Sequence, residues 1–444
     1  MFKKVSGTKD ILPKESGIWQ EIEEISRRVF SLYNFKEIRS PLIEEAALFN
    51  RSLGEGTEIV QKQMFLMQNK NELYALRPEG TASIVRAYIE NNFDKTSPFS
   101  KFYYIGPMFR LERPQKGRLR QFNHIGCEAI GSYEPELDIE IISLADSLLD
   151  SLSITGYKIK LNSLGCLKDK NELTESLRRN LEAKATELCD DCKERIKNNP
   201  LRVLDCKNDS CRQIVKNLNL KTAYLCDDCK AHFDKVRTGL DSLNIKYELA
   251  PYLVRGLDYY TGTVFEITHK DLGAQDAIGA GGRYNNLVKE LGGPSLGAIG
   301  FAFGVERLLL VSNVRCQVPS KNLVYIITLG DKAKSAGLGI LNELRYKGVP
   351  ADTDYEGKSI KGALRKANDM NARFALIIGD NEIKKDAVTL KDMISGEQKE
   401  VRIKDLTKEL NPVRNTKFPK GGSKISNGVN PVRNTKFPNG KQNF

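Results

Sequence analysis

The residues of this chain best suited to chemistry are arginines set beside glycines and carboxylates. The stretch KFYYIGPMFRLERPQKGRLRQFNHIGCEAIG, residues 101–131, has two apolar ends that read as neighbouring strands. Between them Arg110, Arg113, Lys116, Arg118 and Arg120 crowd a segment that Pro114 and Gly117 mark as a loop. Five cations on one hairpin loop repel one another and stabilise a fold poorly. Planar guanidinium forks suit the oxygens of a phosphate-bearing ligand. A solvated basic loop would explain them if the loop stood alone, but other segments accompany it. LVRGLDYYTGTVFEI, 253–267, sets Arg255 before a glycine turn and the Tyr259–Tyr260 pair. GAIGFAFGVERLLLV, 297–311, runs small and apolar residues into Glu306 and Arg307 at the start of an apolar helix. LRPEGTASIVRA, 76–87, puts Glu79, Gly80 and Thr81 at a turn before a helix, and GAGGRYNNLV, 279–288, adds a glycine-rich turn with Arg283. Glycines at such turns permit close backbone approach. Taken singly, each segment is as easily structural.

The elements that must position these groups fall into two sets. Apolar residues at Ile18, Ile22, Ile25 and Val29 predict a helix over 15–33, and Leu137, Ile141, Leu144, Leu148 and Leu152 predict another over 135–152. Phe35–Ile38, LYAL, KFYYIG and CEAIG read as short strands. Helices and strands do not alternate regularly, which predicts an α+β catalytic body around an antiparallel sheet. Residues 322–410 change character. NLVYIITLG, VPADTDY and RFALIIGD read as strands separated by two helical stretches, a separate α/β domain with a mostly parallel sheet.

The chain has 444 residues, 40% hydrophobic and 28% charged, which suits a soluble globular protein of two to four domains. The first twenty residues hold no apolar signal-peptide core, and no apolar run approaches the ~18 residues a membrane span needs. A cytoplasmic protein without a membrane partner is expected. The formal net charge is +12. The tail 411–444 repeats NPVRNTKFP, carries seven cations and no acid, and is read as a disordered basic extension.

Together these segments resemble the class II aminoacyl-tRNA synthetases, and specifically the histidyl-tRNA synthetase family. GTKDILP at 7–13 is similar to the family's opening signature, and 35–55 resembles the dimer-forming motif 1 with its proline at Pro41. Residues 101–131 resemble motif 2 and GFAFGVERLLL at 300–310 resembles motif 3, while RGLDYYTGTVFE and AGGRY resemble the two blocks particular to histidyl enzymes. The resemblance covers roughly residues 1–410. It implies a catalytic domain over 1–166 and 246–321, a helical insertion over 167–245 and an anticodon-binding domain over 322–410. The implied substrates are ATP with Mg as its counter-ion, L-histidine and tRNA(His), and a homodimer is implied.

By the same resemblance, Arg110 and Arg255 flank the α-phosphate as catalytic groups, with Arg255 where other class II enzymes place a metal ion. Arg307 contacts ATP and Arg118 the outer phosphates. Glu79, Gly80 and Thr81 hold the substrate ammonium. Glu128 and Tyr260, with Tyr259 beside them, hold the imidazole; the structural alternative for Glu128 is a salt bridge to the motif 2 arginines. Position 124 is His where the family usually has Gln, and a neutral His124 offers one donor and one acceptor in place of the amide. A non-catalytic relative, the histidine-sensing regulatory subunit of ATP phosphoribosyltransferase, is the rival reading. It generally lacks the second domain and the phosphate-binding arginines, whereas this chain has both. A tRNA-sensing module without chemistry meets the same objection.

The insertion carries LCDDCK twice, at 188–193 and 225–230. The pairs Cys189/Cys192 and Cys226/Cys229 have zinc-knuckle spacing and are read either as one zinc site or as reduced free thiols. Cys206 and Cys211 lie between them. Cys127, Cys166 and Cys316 are read as small core residues. In the second domain Lys358, Lys361, Arg365 and Lys366 offer phosphate contacts or a solvated helix face.

Overall fold

The computed structural model describes residues 2–218, 224–273, 275–314 and 322–410. Cys316 and the repeated tail lie outside them. The chain divides into two compact units, Met1–Gln317 and Val318–Phe444.

The first unit opens with helix α1 (Pro13–Leu32), begun by a proline at its first turn and followed by Asn34 at φ 60°, a conformation that asparagine tolerates. Its buried face includes Ile22, Ile25 and Val29 of the expected stripe. After β1 (Lys36–Glu37) come β2 (Ile43–Glu45), α2 (Ala46–Leu53), β3 (Phe65–Asn69) and β4 (Glu72–Leu76), and the three strands β2, β4 and β3 form a small sheet. Then follow α3 (Thr81–Glu90), α4 (Phe93–Thr96), β5 (Ser100–Phe109), β6 (Gln121–Ile130), α5 (Pro135–Ser151) and β7 (Tyr157–Ser163). The insertion supplies α6 (Leu167–Glu182), α7 (Asp190–Asn198), α8 (Asp209–Asn217) and α9 (Asp227–Ser242). The chain returns through β8 (Tyr247–Leu249), β9 (Thr261–His269), β10 (Ala277–Arg283), α10 (Leu287–Glu290), β11 (Ala298–Gly304) and α11 (Val305–Val311).

The main sheet has the order β1-β5-β6-β11-β10-β9-β7-β8. Its six central strands are antiparallel, as expected, and only the short edge strands β1 and β8 pair in parallel. β5 and β6 extend well past the short apolar runs legible in the sequence, each reaching ten residues, because their polar ends continue the ladder. One face packs under α1 and α5 through Phe30, Leu144, Leu148, Phe265 and Phe301; the other face carries the cleft.

Arg283, singled out for its glycine-rich turn, is a packing residue. Its guanidinium is buried against Asp138 of α5 (Nε–Oδ2 2.7 Å) and donates to the carbonyls of Ser132 and Glu134. His232 of α9 reaches the same Asp138 oxygen at 3.2 Å.

The insertion corrects the expectation of one zinc site at Cys189, Cys192, Cys226 and Cys229. Each CxxC opens its own helix, α7 or α9, with its first cysteine as N-cap. Cys189 and Cys192 gather with Cys206 and Cys211, whereas Cys226 and Cys229 gather with Cys166 and Asp169. Cys166 is exposed, against its reading as a core residue, while Cys127 is buried. A hexapeptide repeat dictates its local turn, and the fold chooses its partners.

The second unit contains β12 (Val324–Thr328), α12 (Asp331–Tyr346), β13 (Ala351–Thr353), α13 (Ile360–Asp369), β14 (Phe374–Ile378), α14 (Asp380–Lys384), β15 (Ala387–Asp392), β16 (Gln398–Arg402) and α15 (Leu406–Glu409). The βαβαβ order holds, but the sheet β13-β12-β14-β15-β16 is mixed rather than mostly parallel. β15 and β16 add an antiparallel hairpin that the expected elements do not include, since β16 (QKEVR) holds a single apolar residue. On and before α13, Lys361 and Arg365 are exposed, while Lys358 pairs with Glu356 at 2.9 Å.

Replacing Arg283 with Leu removes the guanidinium from buried Asp138 and leaves it only His232 as a partner among the described residues. We expect a loss of about 3–5 kcal/mol in unfolding free energy, read by denaturant titration; a loss under 1 kcal/mol would show that the pair is dispensable.

Candidate active site

The sheet lays out the cleft along β5, β6 and β11. Register places Phe109 opposite Gln121, so the loop 110–120 caps the β5–β6 hairpin, and Gly300 and Gly304 of β11 stand opposite Glu128 and His124. The cleft encloses about 1020 Å³ of space, its open mouth included.

The mouth is cationic. Arg110, Arg118, Arg255 and Arg307 all line it. Arg110 is anchored by Nε donating to the Pro78 carbonyl at 2.9 Å and lies over the Phe122 ring, 5.5 Å from its centroid. Burial holds its guanidinium below the usual arginine range, partly opposed by Glu112. Arg118 pairs with Glu112 at 3.2 Å. Arg255 is held by Glu266 at 2.7 Å, while its buried Nε has no partner among the described residues. Arg307 donates to the carbonyls of Gly117 (3.2 Å), Gln275 (2.8 Å) and Ala277. These tethers fix four cations before any ligand arrives, so little reorganisation is left for an incoming anion.

The inner end is acidic and hydroxyl-rich. Glu79 precedes α3 and accepts the backbone N–H groups of Thr81 (2.7 Å) and Ala82 (2.9 Å) at the helix start. Burial nevertheless raises its pKa above the usual carboxylate value. Gly80 lies so close to the Tyr104 ring that a Cβ there would collide with it. Glu128 lies deeper and reaches the cleft through its neighbours. It accepts hydrogen bonds from Thr81 Oγ1 (2.7 Å), Tyr284 (2.6 Å) and Tyr104 (3.3 Å). Burial pushes its pKa up to about 8, against the lowering effect of those donors. Among the described residues it makes no ion pair, so the alternative of a salt bridge to the loop arginines is set aside. Tyr259 and Tyr260 line the same end with ring centroids 4.7 Å apart, and burial keeps both phenols protonated.

His124 is half-buried on the cleft wall with its ring edge-on to Phe122. Among the described residues its buried Nδ1 has no hydrogen-bond partner. Burial, with Arg110 and Arg77 nearby, lowers its pKa to about 3, so the ring is neutral. Sequence reasoning missed Tyr104 and Tyr284, which supply two of the three donors to Glu128. Both stood beside quoted motifs, in KFYYIG and GGRY, but a tyrosine in an apolar strand carries no sign of which side its hydroxyl will find.

A twisted antiparallel sheet carrying an arginine-rimmed, carboxylate-floored cleft between motif 2 and motif 3 is the catalytic body of a class II aminoacyl-tRNA synthetase. The histidyl-tRNA synthetase family profile matches residues 7–308 and the anticodon binding domain profile matches 323–411. A histidine–tRNA ligase of Halothermothrix orenii is 46% identical over 412 residues, covering 92% of this chain and 98% of that protein. Among solved structures, the apo histidyl-tRNA synthetase of S. aureus is similar with a TM-score of 0.76 at 35% identity, over 92% of this chain and 100% of its own. An ATP phosphoribosyltransferase regulatory subunit/histidyl-tRNA synthetase from Bacillus halodurans shares the fold, with a TM-score of 0.63 at 20% identity over 85% of this chain and 98% of its own. The chain belongs to the histidyl-tRNA synthetase family.

A His124 held neutral down to about pH 3 cannot titrate near neutrality. Its ring NMR signals should stay unshifted from pH 8 to pH 5; a protonation step in that window would contradict the burial argument.

Proposed function

We propose that this chain is a cytoplasmic, homodimeric histidine–tRNA ligase whose two half-reactions run in the cleft just described. The observation that carries the reading is the joining of four tethered arginines at the mouth with Glu79, Thr81 and Glu128 at the inner end. A substrate with a phosphate chain at one end and an amino acid at the other fits that polarity.

In the first step a carboxylate oxygen of histidine attacks the α-phosphorus of ATP. The bond from the α-phosphorus to the α,β-bridging oxygen breaks and pyrophosphate leaves, giving histidyl-adenylate. Negative charge gathers on the α-phosphate oxygens, where fixed cations help most. Arg110 and Arg255 take this position, Arg118 receives the outer phosphates, and Arg307 contacts the nucleotide. ATP arrives with Mg as counter-ion. The carboxylates near the mouth are engaged elsewhere: Glu112 by Arg118, Glu266 by Arg255, and Glu306 by Asn123 N–H groups. No protein ligand is assigned to that ion. In the second step the terminal ribose hydroxyl of the tRNA attacks the acyl carbon and AMP leaves.

Selection of histidine follows from the inner end. Glu79 and Thr81 receive the ammonium, and the neutral His124 offers its partnerless Nδ1 as an acceptor beside them. Tyr260, with Tyr259 beside it, faces the imidazole nitrogens, and Glu128 behind the wall holds the hydroxyls of Thr81, Tyr104 and Tyr284 in place. An isosteric apolar side chain would leave those buried groups unpaired, which costs far more than a misfit methyl. The second unit binds the anticodon region of the tRNA, with Lys361 and Arg365 exposed for backbone contacts. The histidine-sensing alternative shares the fold, but it does not explain four tethered arginines.

Purified protein should catalyse histidine-dependent ATP–pyrophosphate exchange, and Arg255→Ala should lower its kcat by about 100- to 1000-fold with the fold intact. A folded protein that binds histidine yet exchanges nothing would move the assignment to the sensing subunit. Exposed Leu42, Ile43, Leu66 and Met67 on and beside the small β2-β4-β3 sheet suit the dimer contact. Light scattering should return twice the chain mass; a monomer at micromolar concentration would reject the dimer.

A further inference from the structure

We infer that the helical insertion holds two tetrahedral zinc ions, one bound by Cys189, Cys192, Cys206 and Cys211 and the other by Cys166, Asp169, Cys226 and Cys229. In each group the four ligand atoms lie within 4.8 Å of one another. Four ligands at the usual zinc–sulfur distance of about 2.3 Å are separated by tetrahedral edges of about 3.8 Å. The Cys189 and Cys206 sulfurs are 3.8 Å apart. A disulfide would need about 2.05 Å.

The local architecture is built for thiolates. Cys189 and Cys226 are N-caps of α7 and α9, and their partners Cys192 and Cys229 sit in the first turns. Cys166 caps α6 in the same way, with Asp169 three residues on, so CLKD is a CxxC with a carboxylate in its second place. Helix starts favour anions. Backbone amides also point at sulfur: Cys189 N–H to Cys211 (3.3 Å), Asn208 N–H to Cys206 (3.4 Å) and Cys166 N–H to Cys229 (3.2 Å). A neutral thiol is a weak acceptor, whereas a metal-bound thiolate commonly collects such donors. Sulfur-rich tetrahedral sets select zinc among the common divalent ions.

The two sites divide the work of holding the insertion. The all-cysteine group lies inside its small core of Leu173, Leu177, Ile196, Val203 and Ile214. The mixed group clamps the helix that enters the insertion to the helix that leaves it. One turn beyond Cys166, Lys170 donates to the carbonyls of Asp258 (2.5 Å) and Tyr260 (3.0 Å), and Asn199 donates to the Asp258 carboxylate at 3.0 Å. The metals thus act as positioning groups for the segment bearing Arg255 and Tyr260, without touching substrate.

The test is metal analysis of the full-length protein purified from zinc-replete medium under reducing conditions. The wild type should retain two zinc per chain, Cys206→Ser and Cys226→Ser one each, and the double variant none. Zinc that persists undiminished in Cys206→Ser overturns the first site, and undiminished in Cys226→Ser the second. A wild type without zinc, or a mass loss marking disulfides, overturns both. Should the variants fail to fold, zinc-edge X-ray absorption on the wild type still decides. A shell of three to four sulfurs at about 2.3 Å supports the inference, and a shell of nitrogen and oxygen alone overturns it.

Discussion

The structure turns on a carboxylate buried without a cation. Glu128 sits at the centre of the main sheet, and hydroxyl groups of Thr81, Tyr104 and Tyr284 are its partners. A charge in that position is costly unless hydrogen-bonded, and the cost organises what surrounds it. Its cross-strand neighbour must be Gly300, because a Cβ there would overlap the carboxylate. Gly126 gives way to the Tyr104 ring in the same manner. Gly300 of β11, Gly126 of β6 and Gly80 before α3 leave the space into which this polar cluster fits.

Charge is then sorted along one pair of strands. The β5–β6 hairpin carries its arginines at the loop end and its carboxylate near the other, with His124 between them. Each guanidinium at the mouth is already tied to a carbonyl or a carboxylate. The price of assembling like charges is met during folding, so a phosphate chain finds them in place. The neutrality of His124 follows from the same arrangement, since Arg110 and Arg77 add to burial in disfavouring its charged form.

Much of this was legible beforehand. The periodic stripes of α1 and α5 and the antiparallel catalytic sheet are local or compositional properties, and they came out as read. The second unit was half legible: β12 and β14 are plain apolar runs, while β16 offers a single apolar residue among polar and charged ones, which left its partner β15 unpaired in the sequence reading. The motif residues Glu79, Arg110, Arg118, His124, Arg255, Tyr260 and Arg307 do meet in one cleft, but spacing alone could not say that Glu128 lies beneath it or that Tyr104 and Tyr284 hold it. Arg283 shows the reverse error. Its motif suggested a ligand contact, and its partner, Asp138, was 145 residues away on a helix.

The sequence by itself determined the elements, the family and the inventory of charged and thiol groups, because helical period, turn residues and motif order are written in neighbouring positions. Only the tertiary structure decided which of those groups share a site. The two LCDDCK copies are the sharpest instance. Identical hexapeptides build identical helix starts, yet one meets Cys206 and Cys211 and the other Cys166 and Asp169. Local sequence sets the direction in which a side chain leaves its helix; what it meets depends on the packing of elements far apart in the chain, and no repeat encodes that.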